Sequence, residues 1–289
     1  MSAPSARSAQ AIPHPHLVLC ELEDPAALTT LESLSPFCLK VHRALKLAGL
    51  PYERAHGGRP DAFKRHNPTG QVPVLLQDGV PLADSTAILR RIVALAPRAF
   101  DRGADAAALG ERWLWEEMAD GVLSGYLVAA RWADDRNWPL VSKAYFGKAP
   151  WFVRRLIAPR IRARVVGGLV ARDVWRRGAE ACWARFVDTL DDLEARAPGR
   201  GFWLGESPGV ADVALFAQLA SLRTPLTSWQ WRELEKRPRL VDWLDRVDAA
   251  TSVAAAPVAS AAVPSSPSQA SYAPERPSRA LNGSAHASG

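Results

Sequence analysis

Ser35-Pro36-Phe37-Cys38 puts a hydroxyl and a thiol on one short turn, and the turn runs straight into apolar residues at helical spacing, Leu39, Val41, Leu45 and Ala48. A helix start gathers unpaired backbone N–H groups and the positive end of the helix dipole. Such a place stabilises an anion, a sulfur anion included. The thiolate held there belongs either to Cys38 or to a bound thiol compound.

Outward from this turn, Leu17 to Cys20 reads as a short strand, and residues 38 to 48 as an amphipathic helix closed by Gly49. Leu50-Pro51-Tyr52-Glu53-Arg54 suits a second strand, and Val72 to Leu76 a third, with Pro73 near its start. Asp78-Gly79 is a hairpin signal. Asp84-Ser85 opens a helix over Thr86 to Leu95, stopped by Pro97. The order is β-α-β, then β-β-α. From Ala106 helical spacing dominates, and all eleven Trp lie between Trp113 and Trp243. Ser207-Pro208-Gly209 precedes a buried helix with Asp212 in its first turn, where an acid can reach back to cap the start.

These elements divide the 289 residues into a leader (1–16), an α/β domain (17–97), an all-helical domain (106–248) and a tail (251–289). The leader lacks the apolar core of a secretory signal. The Ala/Ser/Pro-rich tail cannot bury enough surface to offset its ordering entropy and is expected to be disordered. Three cysteines, Cys20, Cys38 and Cys182, form no even framework, which points to a reducing compartment. No run approaches the roughly 20 apolar residues of a membrane span. His42, His56 and His66 lack metal-ligand spacing, and no metal site is expected.

Net charge is +6, unevenly spread. Residues 143–177 hold ten Lys and Arg against the single acid Asp173, so this segment is 10 − 1 = +9 and the rest of the chain −3. Its apolar residues partly follow a helical period with arginines between, which suits a membrane-surface helix and thus a peripheral membrane contact. Pro159 and Gly167-Gly168 argue instead for two short helices that pack their apolar side and leave a solvated basic face. Attraction of an anionic ligand is a further use of the charge. No recognition motif accompanies it, so no specific nucleic acid is expected.

Three patterns stand in one order: Ser35-Pro36-Phe37-Cys38, Asn67-Pro68-Thr69-Gly70-Gln71-Val72-Pro73-Val74-Leu75, and Asp84-Ser85-Thr86-Ala87-Ile88. Together they resemble the glutathione transferase superfamily. The resemblance implies a thioredoxin-like α/β N-terminal domain followed by an all-α C-terminal domain, and a cytoplasmic homodimer that acts on glutathione and a hydrophobic electrophile or a peroxide. It makes Pro73 a cis proline that aims the Val72 N–H and C=O at the cysteinyl part of glutathione, as an added strand. It gives Asp84 and Ser85 the γ-glutamyl end, places the uncharged Gln71 where many relatives carry a basic residue for the glycyl end, and adds Phe37 to the cofactor platform. Ser35 takes the position of the serine that donates a hydrogen bond to the glutathione sulfur. Cys38 stands one turn behind, as a second candidate nucleophile or a small core residue. Trp113, Trp115 and Tyr126 fall in the region that faces the co-substrate in this superfamily.

Ser35-Pro36-Phe37-Cys38-Leu39-Lys40-Val41 and Tyr145-Phe146-Gly147-Lys148-Ala149-Pro150-Trp151-Phe152 also resemble the failed-axon-connections and metaxin-like branch. That likeness implies the alternative of a non-catalytic adaptor or membrane-associated assembly module working through residues 143–177.

Overall fold

The computed structural model describes residues 15–23, 28–58, 61–101, 105–147 and 149–252. The expected leader and tail lie outside these residues, except at 15–16 and 251–252.

Side-chain alternation along β1 (Leu17–Leu22) sets the layers. Leu17 and Leu19 face α1 (Pro36–Leu47) and α2 (Ser85–Leu95), whose Val41, Leu45, Ile88 and Ile92 close one core. Val18 and Cys20 face the other way, onto Phe63, with Ala55 of β2 (Glu53–Gly57) and Val74 and Leu76 of β3 (Val74–Gln77). With β4 (Val80–Ala83) the sheet order is β2-β1-β3-β4. The β1–β2 pair is parallel and the other two pairs are antiparallel. A parallel pair needs a crossover, and α1 supplies it. The β3–β4 hairpin turns on Asp78 (φ 51°) and Gly79 (φ 82°), both positive as its two-residue turn demands.

The element order is the expected one, but two strands start later than expected. Pro51 and Pro73 have no N–H to give a ladder, and pairing begins beyond them, at Glu53 and Val74.

A short α3 (Pro97–Phe100) leads into the helical part. There α4 (Ala106–Met118), a π-helical turn (Ala119–Leu123), α5 (Ser124–Val128) and a second π turn (Ala129–Ala133) run in succession. They are followed by α6 (Trp138–Phe146), a third π turn (Val153–Ile157) and α7 (Ala158–Ala171). The described residues finish with α8 (Gly178–Arg196), α9 (Val210–Ala220), α10 (Ser228–Glu235) and α11 (Pro238–Ser252). Every residue of α9 is buried, as befits a helix apolar almost all round. The last helix passes the expected boundary at 248: Thr251 is fully buried, and Arg43 of α1 donates to its Oγ1 at 3.2 Å.

Candidate ligand-binding site

Three backbone features stand at the positions that the sequence patterns single out. The first is the cap. Ser35 stands just before the helix with an extended backbone, and its Oγ accepts from the Cys38 N–H at 3.4 Å. The hydroxyl is used there as an acceptor, which leaves its own hydrogen for a ligand. Ser35 is half-buried and Phe37 likewise. Cys38 is fully enclosed. The other two thiols are also buried, and burial pushes Cys20 and Cys182 up to about 12. Thiols held so high stay protonated and inert.

The second feature is the loop before β3. Asn67 braces it: Oδ1 accepts from Thr69 N–H and Oγ1 at 3.2 and 3.0 Å, and Nδ2 donates to Gln71 O at 2.9 Å. The Val72–Pro73 peptide is cis. Val72 lies outside the ladder, and neither its N–H nor its C=O is bonded among the described residues. Gln71 is exposed beside it.

The third is the start of α2. Asp84 caps it, Oδ1 accepting from Ala87 N–H at 2.9 Å. Its backbone sits at φ 78°, ψ 123°. That combination is costly for a residue with a Cβ, and such outliers cluster at ligand sites. Ser85 follows as the first, buried residue of the helix.

Beneath these features lies a charged cluster that the sequence did not announce. Lys40 is fully buried, and its Nζ donates to Glu116 Oε1 at 2.6 Å and to Asp120 Oδ2. Thr86 Oγ1 also donates to Glu116 Oε1, at 2.7 Å, and Gln218 Nε2 to Asp120 Oδ1 at 3.2 Å. Ser85 Oγ lies 3.5 Å from Asp120 Oδ2. Burial raises the Asp120 carboxyl above its ordinary value, and Lys40 only partly counters this. One signal was present in the sequence: Glu116 and Asp120 are four apart on a helix, so they share a face. The partner Lys40, 76 positions earlier, carried no mark of burial.

A second buried cluster lies on α1 and the sheet. His42 holds Glu21 Oε2 at 3.1 Å and Tyr52 OH at 2.7 Å, while Arg54 holds Glu21 Oε1 at 2.6 Å. Burial raises the Glu21 carboxyl, but His42 and Arg54 outweigh it and bring it below its ordinary value.

The expected co-substrate residues have packing partners of their own. Trp113 packs on the core beside the sheet, with the Arg90 guanidinium 3.9 Å from its ring. Trp115 meets Trp203 edge-on at 5.1 Å, and Tyr126 meets Phe186 at 5.4 Å, both within the helical core. A shallow cleft is lined by Phe100, Leu109, Arg112, Leu204 and Val210, and by none of the expected residues.

A parallel-antiparallel four-stranded sheet, a capped helix start, a cis proline at β3 and a helical partner domain make a recognisable set. The family model described as "Glutathione S-transferase, N-terminal domain" matches residues 34–95, and the one described as "Glutathione S-transferase, C-terminal domain" matches 173–246. The chain belongs to the glutathione S-transferase superfamily.

Among curated members, it is 26% identical over 245 residues to "Failed axon connections" of Drosophila melanogaster, covering 75% of this chain and 54% of that one. A 62-residue stretch is 42% identical to "Glutathione transferase GST 23" of Zea mays, covering 20% of this chain and 28% of that one. The chain therefore spans about half, or less, of the length of these relatives. Among solved structures, a glutathione transferase family member from Pseudomonas fluorescens, with two glutathione bound, superposes with a TM-score of 0.53 at 18% identity. The match covers 81% of this chain and 88% of that one, and it shows a shared fold.

Proposed function

We propose that this superfamily member binds glutathione across Ser35, Val72–Pro73 and Asp84–Ser85 and activates its thiol for attack on an electrophile or peroxide. The observations that support the reading are a Val72 peptide left unbonded among the described residues and the side-chain caps at the starts of α1 and α2. An extended cysteinyl peptide pairs with Val72 as an extra strand. The α2 start offers N–H groups to the γ-glutamyl carboxylate, and Asp84 offers charge to its ammonium. The reading gives Gln71 a hydrogen bond to the glycyl end and Phe37 a position flanking the platform.

Ser35 is assigned the sulfur. Lowering a thiol pKa by two units takes about 2.7 kcal/mol. A hydrogen bond to a charged group supplies about 1.5–3 kcal/mol and a helix start about 0.3–1, so the two together suffice. Cys38 has no surface from which to attack, so the reading gives it a packing role. Three buried thiols outside any disulfide suit a reducing compartment, and we assign a cytoplasmic homodimer.

The test uses three variants. Ser35→Ala should abolish turnover of a chlorodinitrobenzene electrophile, while Cys38→Ala keeps most of it. Asp84→Asn keeps the α2 cap and tolerates the positive φ, yet removes the charge. It should weaken glutathione binding by calorimetry about tenfold at unchanged melting temperature, as loss of one charged hydrogen bond implies. Absence of glutathione binding by the unmodified chain would overturn the reading. Binding without turnover, unaffected by Ser35→Ala, would favour the non-catalytic module instead.

A further inference from the structure

Exposed apolar side chains are concentrated in one place. Of the eleven large apolar side chains exposed among the described residues, eight lie between Leu140 and Val170. The expected pair of short helices packing their apolar side is not what the chain forms. One helical run passes from Trp151 through the π turn at Val153–Ile157 into α7, and Pro159 sits in the first turn of α7. Pro159 brings no N–H and crowds the turn before it, which the wider π turn accommodates.

The inward side of this run is anchored by buried Ala158 and Leu169 and by Arg162, which donates to Trp132 O at 2.7 Å and Ala133 O at 3.0 Å. Outward stand Trp151, Phe152, Leu156, Ile157, Ile161 and Val170, all exposed. Arg154, Arg155, Arg160 and Arg164 are exposed among them. None of these four has a carboxylate partner among the described residues, and residues 151–171 contain no acid. The run also falls between the two family-model matches, which end at 95 and resume at 173.

We propose that this outward face docks on an anionic lipid bilayer surface. The inference stands apart from glutathione binding and does not rest on it. A bilayer interface answers both halves of the face: headgroup phosphates meet the arginines, and the acyl boundary receives the aromatic and aliphatic side chains. Arginine stems extend along the apolar layer while the guanidinium reaches the headgroups. A second copy fits less well, because a two-fold contact would set arginines against arginines. A nucleic acid would satisfy the arginines but leave six large apolar side chains in water. Among the described residues no helix is long and apolar enough to cross a membrane, so the contact is one of docking.

The experiment is flotation of the full chain with vesicles of phosphatidylcholine containing phosphatidylglycerol, against vesicles of phosphatidylcholine alone. The chain should float with the anionic vesicles at low salt and lose most of that binding at high salt. Arg154→Gln with Arg155→Gln should weaken partitioning by more than about tenfold, at about fivefold per arginine. Trp151→Ser with Phe152→Ser should weaken it similarly, and circular dichroism should show both variants folded. Failure to float with anionic vesicles at low salt overturns the proposal. So does binding that ignores both variants. Conversion of a dimer to a monomer by the apolar pair would assign the face to self-association, and equal binding to single-stranded RNA without vesicle binding would assign it to nucleic acid.

Discussion

Lys40 sits one turn beyond the cap serine and is enclosed on every side, between acids that arrive from a different part of the chain. A buried charge pair stabilises little by itself, but stripping one partner leaves the other uncompensated. Two acceptors in the cluster, Glu116 Oε2 and Gln218 Oε1, have no partner among the described residues, so it is already rich in acceptors. Lys40→Met should therefore lower unfolding free energy by about 3–5 kcal/mol in urea titration. Adding Glu116→Gln and Asp120→Asn should restore at least half of that loss. If the triple variant is no more stable than Lys40→Met, the cost lies in the volume and shape of the lysine stem. The same residues show why the site was only partly legible. Ser35, Val72, Pro73, Asp84 and Ser85 act through backbone geometry and helix caps, which short local patterns encode. Lys40, Glu116, Asp120 and Gln218 meet across more than 70 positions, and no local pattern records such a meeting.

At the scale of elements, α9 shows how one side chain places a helix. Its interior is apolar, and its start is fixed by Asp212, which is fully enclosed. Oδ1 accepts from Trp203 N–H at 2.8 Å and Trp243 Nε1–H at 2.9 Å, and Oδ2 from Gly209 N–H at 2.9 Å. Burial still pushes the carboxyl from 3.8 up to about 6, outweighing these bonds. An acid raised on folding binds its proton more tightly in the native state than in the unfolded chain. Its contribution is therefore full below pH 3.8 and is lost as pH rises through about 6. Asp212→Asn turns a donor towards Gly209 N–H and should cost about 1–3 kcal/mol. It should also flatten the fall in stability between pH 3.8 and about 6, as read by urea unfolding across that range. An unchanged slope would show that Asp212 titrates alike in the native and unfolded chains. Gly209 before a helical run, with Asp212 three residues on, was readable as a cap. The run from Trp151 was readable two ways, as a membrane-surface helix or as two short helices packing their apolar side, because a helical period shows that residues share a face without showing what lies opposite.

Across the whole molecule, the two domains are separate in sequence yet share side chains. Leu39 of α1 belongs to the helical core, while Val210 and Val213 of α9 belong to the core beside the sheet. Arg43 lies 4.9 Å from the Phe216 ring and bonds Thr251 at the end of α11. The domain order was legible because strand alternation and helical spacing change near residue 106, whereas the depth of the joint depends on which faces meet in space. Such a joint predicts one cooperative unit. The distribution of Trp makes this testable without labels. All eleven lie from Trp113 to Trp243 and, apart from Trp113 on the core beside the sheet, their fluorescence reports on the helical domain, while far-ultraviolet circular dichroism reports on sheet and helices together. The two urea transitions should coincide in midpoint and slope. A fluorescence transition displaced from the dichroism transition would mean that Leu39, Arg43, Val210 and Val213 touch across the joint without coupling the folding of its two sides.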